Sequence, residues 1–251
     1  ESWNGPLFEA VGKKFGFELS SAWYGVSSFF MAQSVKDNTP LCVSKWTFDN
    51  KGRNPISFED TLNSDNGLIA MKGMQLLTKS DVWFDSSMSF TNTAAVVSGI
   101  WDYNSAKKAY GEYLRAAKLP TFTIDGNTYQ LGSYAGYKMM GVVPQENANK
   151  EAFLHDLAAY LTGEESQTKM YSEFQWGPSN KNVQQSEAVQ SNVVLAALLA
   201  QNTYAQPQGI IPMDWWTDAA TLINSITYAT SDDDLKAALT AYENAINSYV
   251  E

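Results

Sequence analysis

The sequence contains very little cysteine and histidine: Cys42 and His155 are the only residues of their types among 251. One cysteine cannot form an intramolecular disulfide, and a catalytic thiol would need a histidine partner, so a small buried residue is the better interpretation of Cys42. His155 is predicted to be a structural residue in the middle of a helix. One histidine and one cysteine far apart are too few ligands for a metal site, and no aspartate-rich calcium loop is present. The sequence therefore predicts neither a metal site nor a cofactor.

Long apolar runs and clusters of basic residues are also missing. No run approaches the roughly 18 apolar residues that a membrane-spanning helix requires, so no transmembrane segment is predicted in this chain. The net charge is −10, from 27 acidic and 17 basic residues, and the densest basic positions are Lys13-Lys14 and Lys107-Lys108. A phosphate-binding surface needs clustered lysine and arginine, so nucleic acid is not an expected partner.

Recognisable catalytic motifs are absent as well. The chain has no glycine-rich phosphate loop, no G-x-S-x-G nucleophile turn and no H-E-x-x-H pair, so no catalytic residue is assigned. A glycosidase remains open, because paired carboxylates and sugar-stacking aromatics would suffice for that chemistry. The run Asp232-Asp233-Asp234 has a complete explanation as the start of a helix and carries no catalytic weight.

Strand and helix patterns alternate along the chain and are followed by a mostly helical tail, which predicts an α/β protein. Apolar periodicity predicts a first helix that opens at Pro6 and ends at Gly16, a second over residues 26–35 and another over residues 65–78. Another helix is predicted over about 188–204. A last helix is predicted to be capped by Ser231.

A hairpin signal lies in the middle of the chain. Residues 121–124 and 127–131 are strand-like and flank Asp125-Gly126, a pair that accepts the positive φ of a tight turn. A further strand is predicted over residues 137–143.

The chain is rich in tryptophan and tyrosine, with 8 and 13 residues respectively. Several of them lie at predicted element boundaries: Trp23, Tyr24, Trp101, Trp215 and Trp216. A flat aromatic face suits the apolar C–H face of a pyranose, while nearby polar groups take the hydroxyls. The competing interpretation is that these are large core residues, and it is the one assigned to Trp46 and Trp83.

The order of several segments resembles that of a known family. Residues 96–102 resemble the strand-glycine-x-tryptophan segment of family 1 extracellular solute-binding proteins of bacterial ABC sugar importers, to which maltose-binding protein belongs. Residues 131–138 with Gly141-Val142, and then 149–153, resemble the passages that follow in these proteins. Trp216-Thr217 resembles the aromatic helix start near the family's carboxy terminus, although a tyrosine follows the tryptophan in the maltose binder. Together the segments cover nearly the whole chain.

The resemblance implies a type II periplasmic-binding-protein-like fold, in which two α/β lobes close on a ligand. It implies that residues 1–117 are the first part of the carboxy-terminal lobe and residues 163–251 its helical part. Residues 118–162 would belong to the amino-terminal lobe, most of which has no counterpart in the sequence. The strands expected over 121–143 would then lie outside the carboxy-terminal lobe.

The resemblance also implies a set of substrate-binding residues. The sugar-stacking platforms would be Trp23, Trp101 and Trp216, and neighbouring hydrogen-bonding groups would be Tyr24, Asp102 and Tyr137.

The function implied is non-enzymatic. The protein would capture a carbohydrate, with a maltooligosaccharide as the favoured ligand, and deliver it to the permease subunits of an ABC importer. It would be extracellular or periplasmic, anchored by a lipid through a residue outside this chain. The alternatives are a glycosidase fragment and a scaffold whose aromatic residues are wholly structural. If one binding face is largely missing, residues 1–251 should bind sugar at least about a hundredfold more weakly than the two-lobed protein.

Overall fold

The computed structural model describes residues 14–87, residue 90 and residues 93–250. The described chain forms two compact units. Unit 1 contains the described residues up to Ser98, Leu119–Ala135 and the residues from Gln201 onward. Unit 2 contains Gly99–Lys118 and Gly136–Ala200.

The strands are short and few of them are longer than four residues. In chain order they are β1 (Lys14–Gly16), β2 (Gln33–Ser34), β3 (Ser44–Phe48), β4 (Pro55–Asp60), β5 (Trp83–Phe84), β6 (Thr93–Val96), β7 (Thr121–Ile124), β8 (Asn127–Gln130), β9 (Ser133–Ala135) and β10 (Ala205–Pro207).

The helices contain more of the described residues than the strands do. They are α1 (Ala22–Gly25), which continues as a π-helical turn over Val26–Phe30, α2 (Asp65–Thr78), α3 (Tyr103–Tyr110), α4 (Ala148–Thr162), α5 (Glu164–Phe174), α6 (Lys181–Gln184), α7 (Glu187–Gln190), α8 (Val193–Asn202), α9 (Met213–Ser225) and α10 (Asp232–Asn247). Two 3-10 turns cover Ile100–Asp102 and Gly111–Tyr113. None of the helices in the described part of the chain is long and apolar enough to cross a bilayer.

The paired strands all lie in unit 1. Strand β1 is the centre of a parallel sheet in the order β5-β1-β6, and β8 is the centre of an antiparallel sheet in the order β2-β8-β7. Strands β3 and β4 form an antiparallel pair, and β9 pairs in parallel with β10. Parallel and antiparallel pairs together with packed helices confirm the predicted α/β class.

Local signals placed several elements correctly. The helix predicted over 65–78 is α2, and the Ser64 side chain accepts the Gly67 N–H at its start. The predicted cap Ser231 starts α10 in a capping box with Asp234. The helix predicted from Pro6 lies outside the described residues except at its end, where Lys14–Gly16 forms β1 instead of a last helical turn.

The hairpin of β7 and β8 is confirmed, with positive φ at Asp125 and Gly126. Residues 119–135, expected to lie outside the carboxy-terminal lobe, belong to unit 1 together with the described residues up to Ser98 and those from Gln201 onward. The physical reason is the alternation that buries Phe122, with its neighbours on the same face, against α2. A Cβ at Gly73 would lie only 2.6 Å from the Phe122 ring, so the missing side chain lets this hairpin pack closely on the helix.

Unit 2 differs from expectation in two places. Residues 137–143 form no strand, and Tyr137 and Met139 are highly exposed with no strand paired to them among the described residues. The helix predicted over 188–204 is divided into α7 and α8. Asn192 causes the division, because its side-chain oxygen accepts the N–H groups that open α8.

The predicted lobe boundaries at 117/118 and 162/163 do not coincide with those of the two units. Of the segment 118–162, residue 118 and residues 136–162 lie in unit 2, which also contains residues 99–117 and 163–200. Which lobe of the family each unit represents stays a prediction.

Candidate functional site

Three aromatic rings from distant parts of the sequence meet in unit 1. The indoles of Trp23 and Trp216 are nearly parallel, at 25° with 6.2 Å between ring centroids. The ring of Tyr134 lies 4.9 Å from Trp23 and 6.3 Å from Trp216. Tyr134 is 9% exposed, whereas both indoles are half-buried. The two indoles, called the indole pair below, therefore reach solvent above a buried tyrosine.

The indole pair depends on a close approach of two helices. Trp23 lies in α1 and Trp216 in the first turn of α9. A Cβ at Gly25 would lie 2.5 Å from Cδ1 of Ile223, so the glycine leaves the space into which the α9 side chain packs. Without that space the two helices could not bring their tryptophans to this separation.

Tyr134 is placed by a separate set of contacts. It is the middle residue of β9, which pairs with β10. The Gly132 N–H donates to the Ser28 carbonyl at 3.0 Å, and a Cβ at Gly132 would lie 2.7 Å from the Met31 carbonyl oxygen. The buried Gln201 amide donates to the Leu131 carbonyl at 3.1 Å. The strand that carries Tyr134 is thus held against the π-helical turn that follows Trp23.

Adjacent tryptophans in α9 have different environments. Trp215 is fully buried, and its ring meets that of Trp216 edge-on, at 87° and 4.9 Å. Consecutive helical positions point about 100° apart, so one ring enters the core while the next faces the surface. Trp215 therefore supports Trp216 and belongs to the core.

The sequence-predicted site residues are divided between the units. Trp23 and Trp216 come together, and Tyr24 beside them packs edge-on against Phe17 at 6.3 Å. The other three belong to unit 2: Trp101, Asp102 and Tyr137.

The three residues in unit 2 have contrasting environments. Trp101 is 61% exposed, and its ring covers Gly99 so closely that a Cβ there would overlap it. Asp102 is buried at the end of a 3-10 turn, and Tyr137 is exposed. Trp101 thus presents one open face of an indole whose other side lies on backbone. The binding roles of all six residues remain predictions.

Tyr134 is a site residue that the sequence did not single out. It lies within the family-like segment 131–138, where its position two residues after Gly132 on a short strand was the only available signal. Burial raises the pKa of the Tyr134 hydroxyl above its usual range, which already lies well above physiological pH, so the side chain is uncharged. An uncharged aromatic surface of this kind suits an uncharged ligand with apolar C–H faces.

Cys42, which the sequence analysis excluded from the site, is an inert group in the structure. Cys42 is buried, which raises its thiol pKa to about 12 and confirms its interpretation as a small buried residue. Across the parts of the chain that the structure describes, no three His, Cys, Asp or Glu side chains cluster closely enough to hold a metal ion.

The family follows from comparison with known proteins. The model of the family described as bacterial extracellular solute-binding protein matches residues 70–197, just over half of the chain. The chain belongs to this family. The predicted resemblance is thereby confirmed, although a search of curated proteins found no match to this solute-binding chain.

Solved structures establish the fold. A protein solved with acarbose is similar in structure over 94% of this chain, with a TM-score of 0.70 and 22% sequence identity. The maltodextrin-binding protein MalE1 from L. casei BL23 is similar over 93% of the chain, with a TM-score of 0.67 and 19% identity. The maltose-maltodextrin-binding protein of Alicyclobacillus acidocaldarius is similar over 98%, with a TM-score of 0.65 and 18% identity.

These similarities confirm the type II periplasmic-binding-protein-like fold. They cover 62%, 62% and 65% of the three solved chains in the same order. This solute-binding chain therefore spans somewhat less than two thirds of the length of proteins with its fold.

Proposed function

We propose that this protein is the sugar-binding component of a bacterial ABC importer and that it takes a maltooligosaccharide. The observation that carries the proposal is the indole pair, two nearly parallel and half-exposed rings held above a buried tyrosine. The similar solved proteins support the ligand class, since one was solved with acarbose and another is a maltodextrin-binding protein. Carbohydrate recognition uses such flat aromatic faces against the C–H faces of pyranose rings.

The spacing of the indole pair decides how it would be used. A sugar held between two parallel rings needs a carbon–carbon contact of about 3.5–4.0 Å on each of its faces, hence a ring separation above about 7 Å. The centroids of Trp23 and Trp216 are 6.2 Å apart. The pair is too close for a sandwich, so we infer that the two rings act as adjoining parts of one platform for a chain of more than one sugar.

The proposal extends to the residues of unit 2. Trp101 would offer a further stacking face, and Asp102 and Tyr137 would offer hydrogen-bonding groups. Delivery to permease subunits, the absence of catalysis, an extracellular or periplasmic location and a lipid anchor outside this chain belong to the same proposal.

A binding experiment with the 251-residue chain tests the platform. We expect Trp23→Ala and Trp216→Ala each to weaken binding of maltotetraose by about 2 kcal/mol, close to thirtyfold, because a dominant stacking contact is lost. Binding is measured by NMR titration up to millimolar sugar, which also detects a weak complex. Cellotetraose, with β-linked glucose, reports on the linkage.

The matched control is Trp46→Ala. Trp46 is also half-buried and aromatic-stacked in unit 1, 4.0 Å from Phe58, but it makes no ring contact with the indole pair. It should leave sugar affinity unchanged. If Trp23→Ala and Trp216→Ala lower only the free energy of unfolding and the folded variants bind as before, the platform assignment is wrong and a structural role replaces it.

The formation of hydrolysis products distinguishes a glycosidase from a sugar-binding protein without enzymatic activity. The protein is incubated with maltotetraose, and new reducing ends are measured over time. We expect none above a heat-inactivated sample.

A further inference from the structure

Tyr134 has a geometry that distinguishes it from the other buried tyrosines of unit 1. Its ring contacts both members of the indole pair, at 54° to Trp23 and 75° to Trp216. The three centroid distances of 4.9, 6.2 and 6.3 Å define a closed triangle with the buried ring at its base. The Tyr134 ring contacts both indoles, so a change in the tilt or position of either indole would alter its contact with this ring.

We propose that Tyr134 is a positioning residue that sets the separation and tilt of the indole pair, and thereby the shape of the sugar platform. This inference rests on the proposed function for its effect on affinity, although its structural part does not. Tyr134 acts through the two tryptophans, and its ring is the part that matters. A flat, rigid six-membered ring fills the wedge between two indoles in a way that an aliphatic chain of similar volume does not.

The support for Tyr134 comes from strand β10 and from Gln201, as well as from the π-helical turn that continues α1. Strand β9 is hydrogen-bonded to β10, and the Gly132 N–H anchors the strand to the carbonyl of Ser28. The side chain of Gln201 anchors the preceding residue, Leu131. Contacts from β10, from Gln201 and from the turn after α1 thus hold the backbone next to Tyr134 and fix its ring beneath the indole pair. Sites that recognise ligands by shape depend on such rigid support beneath the contacting groups.

A spectroscopic experiment without sugar tests the geometry directly. Two indoles a few ångströms apart couple their electronic transitions, which produces paired bands of opposite sign in far-ultraviolet circular dichroism. The difference between wild type and Trp23→Phe isolates the contribution of the Trp23–Trp216 pair from that of Trp215–Trp216. We expect Tyr134→Leu to abolish the paired bands and Tyr134→Phe to retain them.

The functional arm measures maltotetraose affinity in the same variants. We expect Tyr134→Leu to weaken binding about tenfold and Tyr134→Phe to bind within about twofold of wild type, because only the former removes the flat support. Tyr134→Met fills the space with a flexible chain and replaces Tyr134→Leu if that variant does not fold.

Tyr129→Leu is the matched control for loss of a buried tyrosine. Tyr129 is equally buried and stacks on Phe122 at 5.3 Å, with no ring contact to Trp23 or Trp216. It should destabilise the protein while leaving both the paired bands and the sugar affinity of the folded protein intact.

The outcomes separate the two proposals. Unchanged paired bands in Tyr134→Leu, or equal loss of them in Tyr129→Leu, would overturn the positioning role. If Tyr134→Leu loses the paired bands but keeps its sugar affinity, the proposal that Tyr134 affects sugar binding through the indole pair is wrong. A wild type that binds no glucan would overturn the proposed function, while the circular dichroism would still decide what Tyr134 does.

Discussion

Asp60, at the end of β4, is a mostly buried carboxylate with incomplete hydrogen bonding. Its Oδ1 accepts the Leu62 N–H at 3.2 Å, but its buried Oδ2 has no partner in the described part of the protein. Burial raises the pKa of Asp60 to about 6, and the nearby carboxylate of Glu243 contributes to the same direction. The charged form of this side chain is therefore unfavourable in the folded state.

The raised pKa predicts a pH dependence of stability. The folded protein binds this proton more tightly than the unfolded chain, so the free energy of unfolding falls as the pH rises from about 4 to about 6. The total change attributable to Asp60 is at most about 3 kcal/mol, and less where solvent reaches the carboxylate. We expect Asp60→Asn to match wild type near pH 4 and to be more stable than wild type at pH 7.5, as measured by urea unfolding.

Asp49→Asn is a control for which the opposite effect on the free energy of unfolding is expected at neutral pH. The Asp49 carboxylate is exposed and accepts the N–H groups of Lys51 and Arg53, which lowers its pKa. The stabilisation that it provides is present at neutral pH and is lost as the pH falls through its folded-state pKa. Asp49→Asn should therefore lower stability at pH 7.5. A pH-independent difference between wild type and Asp60→Asn would contradict the account of Asp60.

At the scale of elements, the contact between α1 and α9 is the one on which the candidate site depends. Gly25 and Ile223 meet there with no room for another carbon atom, and Ile223 is buried in the core of unit 1. The same two helices carry Trp23 and Trp216. Core packing and the geometry of the indole pair are thus consequences of one helix contact.

A smaller side chain at Ile223 should partly offset the destabilisation caused by a larger one at Gly25. We expect Gly25→Ala to destabilise the protein by about 1–3 kcal/mol, because the added methyl group overpacks the contact with Ile223. Ile223→Val removes the Cδ1 atom and alone should cost about 0.5–1.5 kcal/mol. Together the two substitutions should cost less than their sum, which a double-mutant cycle in urea measures.

Gly141→Ala is the matched control for this cycle, since a Cβ at Gly141 would meet nothing within 4 Å. It should be nearly neutral and additive with Ile223→Val. Strict additivity of Gly25→Ala and Ile223→Val would show that the close approach does not limit the packing of these helices.

At the scale of the whole molecule, unit 2 exposes an apolar stripe on one of its helices. Phe153, Leu157 and Tyr160 of α4 are 64%, 39% and 57% exposed, and their spacing places them on one helix face. A contiguous exposed apolar surface of this kind favours association. The chain also spans less than two thirds of the length of the solved proteins with its fold.

We expect the 251-residue chain to self-associate as its concentration rises, because association removes this stripe from water. Phe153→Gln combined with Tyr160→Gln should weaken the association, as measured by sedimentation velocity over a concentration series. Tyr228→Gln, at an exposed aromatic residue of unit 1 outside the stripe, should have no such effect. A chain that remains monomeric throughout the series would rule out association through α4.

The sequence by itself was sufficient where a few neighbouring residues decide the structure. The Asp125-Gly126 turn, the Ser231 cap and the bounds of α2 follow from backbone conformations and hydrogen bonds within a few positions, so they were predicted correctly. The family could also be predicted, since several segments of the chain resemble those of the family and occur in the same order. Trp23 and Trp216 were named for the same reason.

Only the tertiary structure decided which of these residues meet. The position of β7 in unit 1 depends on Gly73 beneath Phe122, and the base of the candidate site depends on Tyr134, more than 80 residues from Trp216 along the chain. The strand expected over 137–143 did not form, because a strand requires a hydrogen-bonding partner that local sequence cannot supply. Packing between distant elements depends on the space that each side chain leaves for another, and no local pattern records that space.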